Sequence, residues 1–125
     1  MRILILYGLI LVVILVKAIR EGFTSSPSTI FKDLQNKKVL LLVYLPDCIH
    51  CKRLKPEWDK AEAKNPDKMV SIDASDSSDN NVQILTSKLN VSGYPSIFVM
   101  NNGVVVKQYE GGRTEQDLLD EVNTM

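Results

Sequence analysis

Cys48-Ile49-His50-Cys51 places both cysteines of this 125-residue chain, and its single histidine, within four positions. Three chemistries use such a cluster: a metal site, a structural cross-link or a redox pair. A structural zinc site needs four ligands, so carboxylates or a second subunit would have to complete one here, because no other Cys or His exists in the chain. A disulfide across so short a loop constrains little of the unfolded chain and stabilises it weakly. The redox reading asks least. A cysteine at a helix N-terminus meets unpaired N–H groups and the positive end of the helix dipole, and both favour thiolate. By this reading Cys48 is the exposed nucleophile and Cys51 the buried resolving thiol. His50 lowers the Cys48 pKa through positive charge or a hydrogen bond, and Asp47 opposes it with a carboxylate. A stabilised thiolate makes the disulfide more oxidising. No metal and no cofactor is expected beyond the Cys48–Cys51 disulfide.

These residues need a helix start to sit on, and the flanking sequence supplies one. Val39 to Leu45 (VLLLVYL) is a continuous apolar run of strand length, as expected of a strand covered on both faces. After the motif, Lys52 to Lys64 is rich in helix formers and contains Pro56. Thr29 to Asn36 reads as a short helix, Met69 to Asp73 as a second strand, and Ser75 to Asp79 as a polar loop. Val82, Leu85 and Leu89 have helical spacing. Ser96 to Met100 and Val104 to Tyr109 flank Asn101-Asn102-Gly103, a hairpin signal. Gly111-Gly112 ends the last strand, and Thr114 opens a helix with Leu118, Leu119 and Val122 on its apolar side. Strands alternating with helices imply an α/β fold: a central mixed sheet flanked by helices, the final hairpin forming an antiparallel edge. The cysteines then fall where the first long strand gives way to a helix, the place where open α/β sheets build sites.

The remainder of the chain bounds its surroundings. Fifteen basic and fifteen acidic residues balance, with no basic run, so nucleic acid is not an expected partner. Ile3 to Val16 is apolar except at Tyr7 and Gly8. As a helix it rises about 21 Å, and continuing through Ile19 with Lys17 snorkelling brings it to about 25 Å. Three assignments are weighed for residues 1–20: an uncleaved membrane anchor inserted through residues 3–19, a cleaved signal sequence, or a buried helix of the domain, against which unbroken Leu, Ile and Val on every face argue. Charges in Lys17-Ala18-Ile19-Arg20-Glu21 occupy the place where a cleavage site wants small residues, which favours the anchor. Residues 21–28 form a linker, and residues 29–125 the folded domain.

LVYLPDCIHCKRLKPEWDKA resembles the active-site strand and helix of the thioredoxin superfamily, and is most similar to a catalytic domain of the protein disulfide isomerases. Asn90-Val91-Ser92-Gly93-Tyr94-Pro95-Ser96 resembles that family's cis-proline loop. Asn102-Gly103-Val104, with Tyr109-x-Gly111-x-Arg113, resembles its terminal hairpin. The resemblance implies a thioredoxin fold in which Pro95 lies against the Cys48 sulfur. Gly93, Tyr94 and Pro95, with Ile49, then receive an extended substrate peptide. Three departures stand out. Asp47 replaces the family's aromatic residue before the first cysteine. Leu42 occupies the place of a buried acid that accepts the resolving cysteine's proton. Ser71 and Met69 occupy the places where that acid's lysine partner would stand. Loss of both charges together leaves neither one uncompensated, and slows proton removal from Cys51.

The implied function is that of a membrane-anchored thiol–disulfide oxidoreductase acting on protein cysteines, recharged by a redox partner. His50 rather than proline before Cys51 points to oxidase or isomerase chemistry. The alternative is a thioredoxin-like adapter with little turnover, for which Asp47 and Leu42 speak. Oxidising chemistry favours a single-pass protein of the endoplasmic reticulum or another extracytoplasmic membrane. Asn90-Val91-Ser92 is a glycosylation sequon usable only on that side, and a cytoplasm-facing orientation is the other arrangement.

Overall fold

The computed structural model describes residues 26–125. Its first strand, β1 (Lys38–Tyr44), is buried from Val39 to Val43 because helices cover both faces of the sheet. Side chains alternate along a strand. Val39, Leu41 and Val43 therefore enter one apolar cluster, and Leu40 and Leu42 enter the other.

The remaining elements follow in chain order around β1. They are α1 (Ile30–Asp33), α2 (Ile49–Lys64), β2 (Met69–Asp73), α3 (Asn80–Lys88), β3 (Ser96–Asn101), β4 (Val104–Gln108) and α4 (Glu115–Thr124). The sheet order is β2-β1-β3-β4. β2 runs parallel to β1, with Leu42 beside Ser71, while β3 pairs antiparallel to both β1 and β4. Ile30 and Leu34 from the α1 turn, with Val82, Leu85 and Leu89 from the α3 region, cover one face against Val70, Ile72, Phe98 and Met100. Leu54, Trp58 and Ala61 of α2 and Leu118 and Val122 of α4 cover the other against Met69, Ile97 and Val99.

Turn chemistry fixes the connections. Asn102 and Gly103 both take positive φ, 54° and 75°, as a two-residue hairpin with the strands' own twist requires. A side chain at Gly103 would also meet the Phe31 carbonyl oxygen at 3.0 Å. The hairpin is tied to the start of β1: Asn36 N–H donates to Asn102 Oδ1 at 2.8 Å, and Asn102 N–H to the Lys37 carbonyl at 2.9 Å. Asn36 itself has φ of 61°, so α1 ends at Asp33 rather than running to Asn36 as its composition suggests.

α2 starts at Ile49, three residues before its helix-forming composition begins, and runs through Pro56 without interruption. The ring removes one backbone donor, and burial of Leu54, Trp58 and Ala61 holds the helix together across it. α4 is capped twice. Thr114 and Asp117 form a capping box, and the Glu57 carboxylate of α2 accepts the Glu115 N–H at 2.8 Å. Lys64 of α2 adds an ion pair to Glu115. The segment read as an anchor at residues 3–19, and most of the linker at residues 21–28, lie outside the described residues. Among the described residues no helix is long and apolar enough to cross a membrane.

Candidate active site

β1 ends at Tyr44, and Leu45 to Cys48 make a turn closed by the Cys48 N–H on the Leu45 carbonyl at 3.2 Å. Cys48 is the N-cap residue of α2 with extended backbone, φ −73° and ψ 130°. Its carbonyl accepts the Lys52 N–H at 2.9 Å, while its side chain makes no capping hydrogen bond to the helix. The sulfur is left half-exposed at the helix mouth, while Cys51, one turn inside, is buried.

The two thiols differ electrostatically. Cys48 is held below the ordinary thiol pKa, chiefly by the Cys51 N–H and then by the Cys51 thiol. Partial burial opposes these, and the His50 N–H and the Arg113 guanidinium add to the lowering. Cys51 is pushed up, chiefly by burial. The Leu45 contact draws it down, the neighbouring Cys48 sulfur pushes it further up, and Arg113 again lowers it. At neutral pH the exposed sulfur is thus the better nucleophile, and the inner one waits as a thiol. Both cysteines are reduced, and each shift includes the other's influence.

The loop before β3 closes the site from the other side. The Tyr94–Pro95 bond is cis and Pro95 is buried. The Cys48 thiol faces the Tyr94 carbonyl at 3.6 Å. Ser96, buried at the start of β3, donates its hydroxyl to the Gly93 carbonyl at 2.6 Å and pins the loop. Gly93 is exposed, Tyr94 half-exposed, and Ile49 stands at the rim with 58% of its surface accessible. Of the residues read as substrate contacts, Tyr94 meets the Cys48 sulfur through its carbonyl, and Gly93 and Pro95 adjoin it in the same loop.

Asp47 and His50 are both exposed beside the motif. What His50 contributes to the lowered Cys48 pKa comes from its backbone N–H, which every residue except proline supplies. Arg113 is the residue that the sequence reading passed over. It lies sixty-two positions beyond Cys51, yet its charge reaches both sulfurs, and with Pro95, Tyr109 and Gly111 it lines a polar recess of about 300 Å³. Its place in the segment Tyr109-x-Gly111-x-Arg113 was the available signal.

Beneath the motif the core carries no charge. Leu42 is fully buried among Leu40, Leu54, Trp58 and Met69, and its neighbour on β2 is Ser71. Trp58 is buried with its indole N–H unpartnered. Among the described residues no cluster of three or more His, Cys, Asp or Glu could hold a metal ion.

The family profile described as Thioredoxin matches residues 23–124. Human protein disulfide-isomerase A4 is 37% identical over 84 residues, covering 67% of this chain and 13% of that protein. Protein disulfide-isomerase 1 of Caenorhabditis elegans is 37% identical over 90 residues, covering 68% of this chain and 17% of its own length. The chain therefore spans between an eighth and a sixth of these relatives. Among solved structures, the first thioredoxin domain of mouse protein disulfide-isomerase A4 aligns with a TM-score of 0.59 at 30% identity, covering 84% of this chain and 79% of that domain.

Proposed function

The chain belongs to the thioredoxin family, and from that premise we propose that it is a thiol–disulfide oxidoreductase acting on cysteines of protein substrates through Cys48 and Cys51. The observation that carries the reading is the division of labour between the sulfurs: one half-exposed with a lowered pKa, the other buried with a raised one. Thioredoxin-fold proteins generally need no cofactor beyond such a pair.

In the reducing direction the Cys48 thiolate attacks one sulfur of a substrate disulfide. That bond breaks, a Cys48–substrate disulfide forms, and the second substrate sulfur leaves as a thiolate. Cys51 then loses its proton to solvent and attacks the Cys48 sulfur. The Cys48–Cys51 disulfide forms, and the second substrate thiol is released. Two electrons have passed to the substrate. Run backwards, the oxidised protein donates its disulfide, and a redox partner must reoxidise the pair. Gly93, Tyr94 and Pro95, with Ile49, receive the substrate backbone beside the sulfur, and His50 and Asp47 tune the couple. Because His50 precedes Cys51, the oxidase and isomerase directions are the ones proposed.

A membrane anchor through residues 3–19 belongs to the same proposal and rests on sequence alone. With it goes an extracytoplasmic placement of the domain, most simply in the endoplasmic reticulum. Carbonate extraction and protease protection on intact microsomes test both, and a carbonate-soluble form lacking residues 1–20 sinks the anchor.

The apolar surroundings of Leu42, without a buried acid to accept the Cys51 proton, favour a second reading as an adapter with little turnover. Trapping separates the two. Cys51→Ser should accumulate reducible adducts with substrate proteins, and Cys48→Ser few or none. Absence of adducts from both variants, together with no turnover by the native protein, establishes the adapter.

A further inference from the structure

α2 begins with charges set against the field of its own dipole. Its first two turns hold His50, Lys52, Arg53 and Lys55 and no carboxylate, while Glu57, Asp59 and Glu62 follow, interleaved with Lys60 and Lys64. Anions are favoured at a helix N-terminus and cations at the other end. α4 obeys that preference with Glu115 and Asp117 in its first turn, and α3 has Asp79 as its N-cap. Helix stability alone would not arrange α2 this way.

The misplaced cations border a groove. Tyr44, Pro46 and Pro56 form its apolar floor, Lys52, Lys55 and Asp59 its polar edge, and its volume is about 580 Å³. Lys52, which lines the groove, stands one helical turn along α2 from Cys48 and donates its N–H to the Cys48 carbonyl at 2.9 Å. Lys55 lies over the Tyr44 ring, 4.7 Å from its centroid, and meets Asp59 at 3.0 Å. Asp59 thereby displays how a carboxylate is received there. It is an exposed i,i+4 partner, and such pairs are weak and readily exchanged. Among the described residues Lys52 and Arg53 have no ion-pair partner. The nearby acids are Asp59, Asp47 on the turn before Cys48, and Glu62, which burial and Asp59 push up and Lys55 draws down.

We propose that this groove selects the substrate: it docks an acidic segment next to the reactive cysteine, its carboxylate held by Lys52 and Lys55 and an apolar side chain laid on Tyr44, Pro46 and Pro56. The proposal rests on the oxidoreductase reading for its biological meaning, but the groove's occupancy is measurable without it. The apolar floor alone would accept many peptides, so the two lysines carry the discrimination. Arg53, exposed on the same helix, adds to the attraction at longer range.

The test uses the full chain with Cys51→Ser and three synthetic peptides of one core sequence, each activated as a 2-thiopyridyl disulfide. Their flanks are Glu/Leu, Gln/Leu and Lys/Leu. Thiopyridone release gives the second-order rate of mixed-disulfide formation. The acidic peptide should react roughly tenfold faster than the neutral one at low ionic strength, and the advantage should shrink as salt rises. In Lys52→Gln/Lys55→Gln the acidic-to-neutral ratio should fall to about one, whereas a Lys68→Gln control, at the exposed residue that precedes β2, should keep it. Equal rates for acidic and neutral peptides in the parent, or a preference that survives the double substitution, overturns the proposal. Anisotropy of the labelled acidic peptide with serine in place of its cysteine reads the groove independently of redox chemistry. Binding lost in the double variant upholds the groove even where no peptide reacts. Absence of binding, with peptides reacting at equal rates, refutes the groove and leaves the oxidoreductase standing.

Discussion

At the scale of single residues, function follows from a difference between two chemically identical groups. A cysteine reacts with an alkylating agent in proportion to its thiolate fraction. Cys48, with its pKa lowered, should be alkylated by iodoacetamide with a rate that rises and levels off at lower pH than free cysteine. In Cys48→Ser the remaining thiol should react only above the ordinary thiol range. Removal of the Cys48 sulfur relieves part of the upward shift, but burial, its main cause, remains. Coincident profiles for the two would contradict the asymmetry. The histidine separates similarly. His50→Ala deletes the imidazole and keeps the N–H, whereas His50→Pro deletes both. Because the N–H is the part that acts on Cys48, the alkylation midpoint should rise more for proline than for alanine. An equal rise would assign the whole effect to the ring. The cysteines and His50 stood out by their spacing alone, and Pro95 only through the resemblance of its loop to the thioredoxin family's. Arg113 was not, since its effect depends on a turn after β4 that returns to the motif from a distant part of the chain. Leu42 was legible only as a departure, and the register that sets it beside Ser71 gives the departure its meaning. Two apolar-compatible residues stand where an isolated charge would be costly.

At the scale of elements, the sequence marked each strand within a residue or two, because burial sets the composition of β1 to β3 directly and the Asn102-Gly103 turn places β4. Val39 to Leu45 could be read as doubly covered before any fold was known, and β1 alternates between the two clusters accordingly. Helix ends were less legible. Ile49 and His50 are middling helix formers, and only the turn from Leu45 to Cys48 determines that α2 begins there. The bond from the Glu115 N–H to Glu57 joins positions fifty-eight residues apart and leaves no local trace. It matters for α4, whose first turn otherwise relies on its capping box. Glu57→Ala should cost about 1 kcal/mol, the usual worth of a lost cap, read as a lower urea midpoint at unchanged slope. Glu57→Gln should recover most of that. A midpoint unaltered by the alanine would show that the capping box suffices.

At the scale of the whole molecule, the sheet formed by the described residues is covered on its faces and open along β4. Val104 and Val106 expose 66% and 60% of their surfaces, and no residue of the strand is buried. Edge strands in natural proteins are usually guarded by charge. Here the strand's single charge, Lys107, is already engaged by Glu121 at 2.9 Å. Val106→Lys should therefore leave stability within about 0.5 kcal/mol while raising the protein concentration at which light scattering begins. Unchanged scattering onset would place the cohesive surface elsewhere. Formal net charge is zero at pH 7 and the pI is about 6.6, so molecules approaching through β4 meet no long-range repulsion. Acidification neutralises the fifteen carboxylates while the fifteen lysines and arginines keep their charge, so every molecule takes the same sign and a preparation that clouds near neutrality should clear as the pH falls below the carboxylate range.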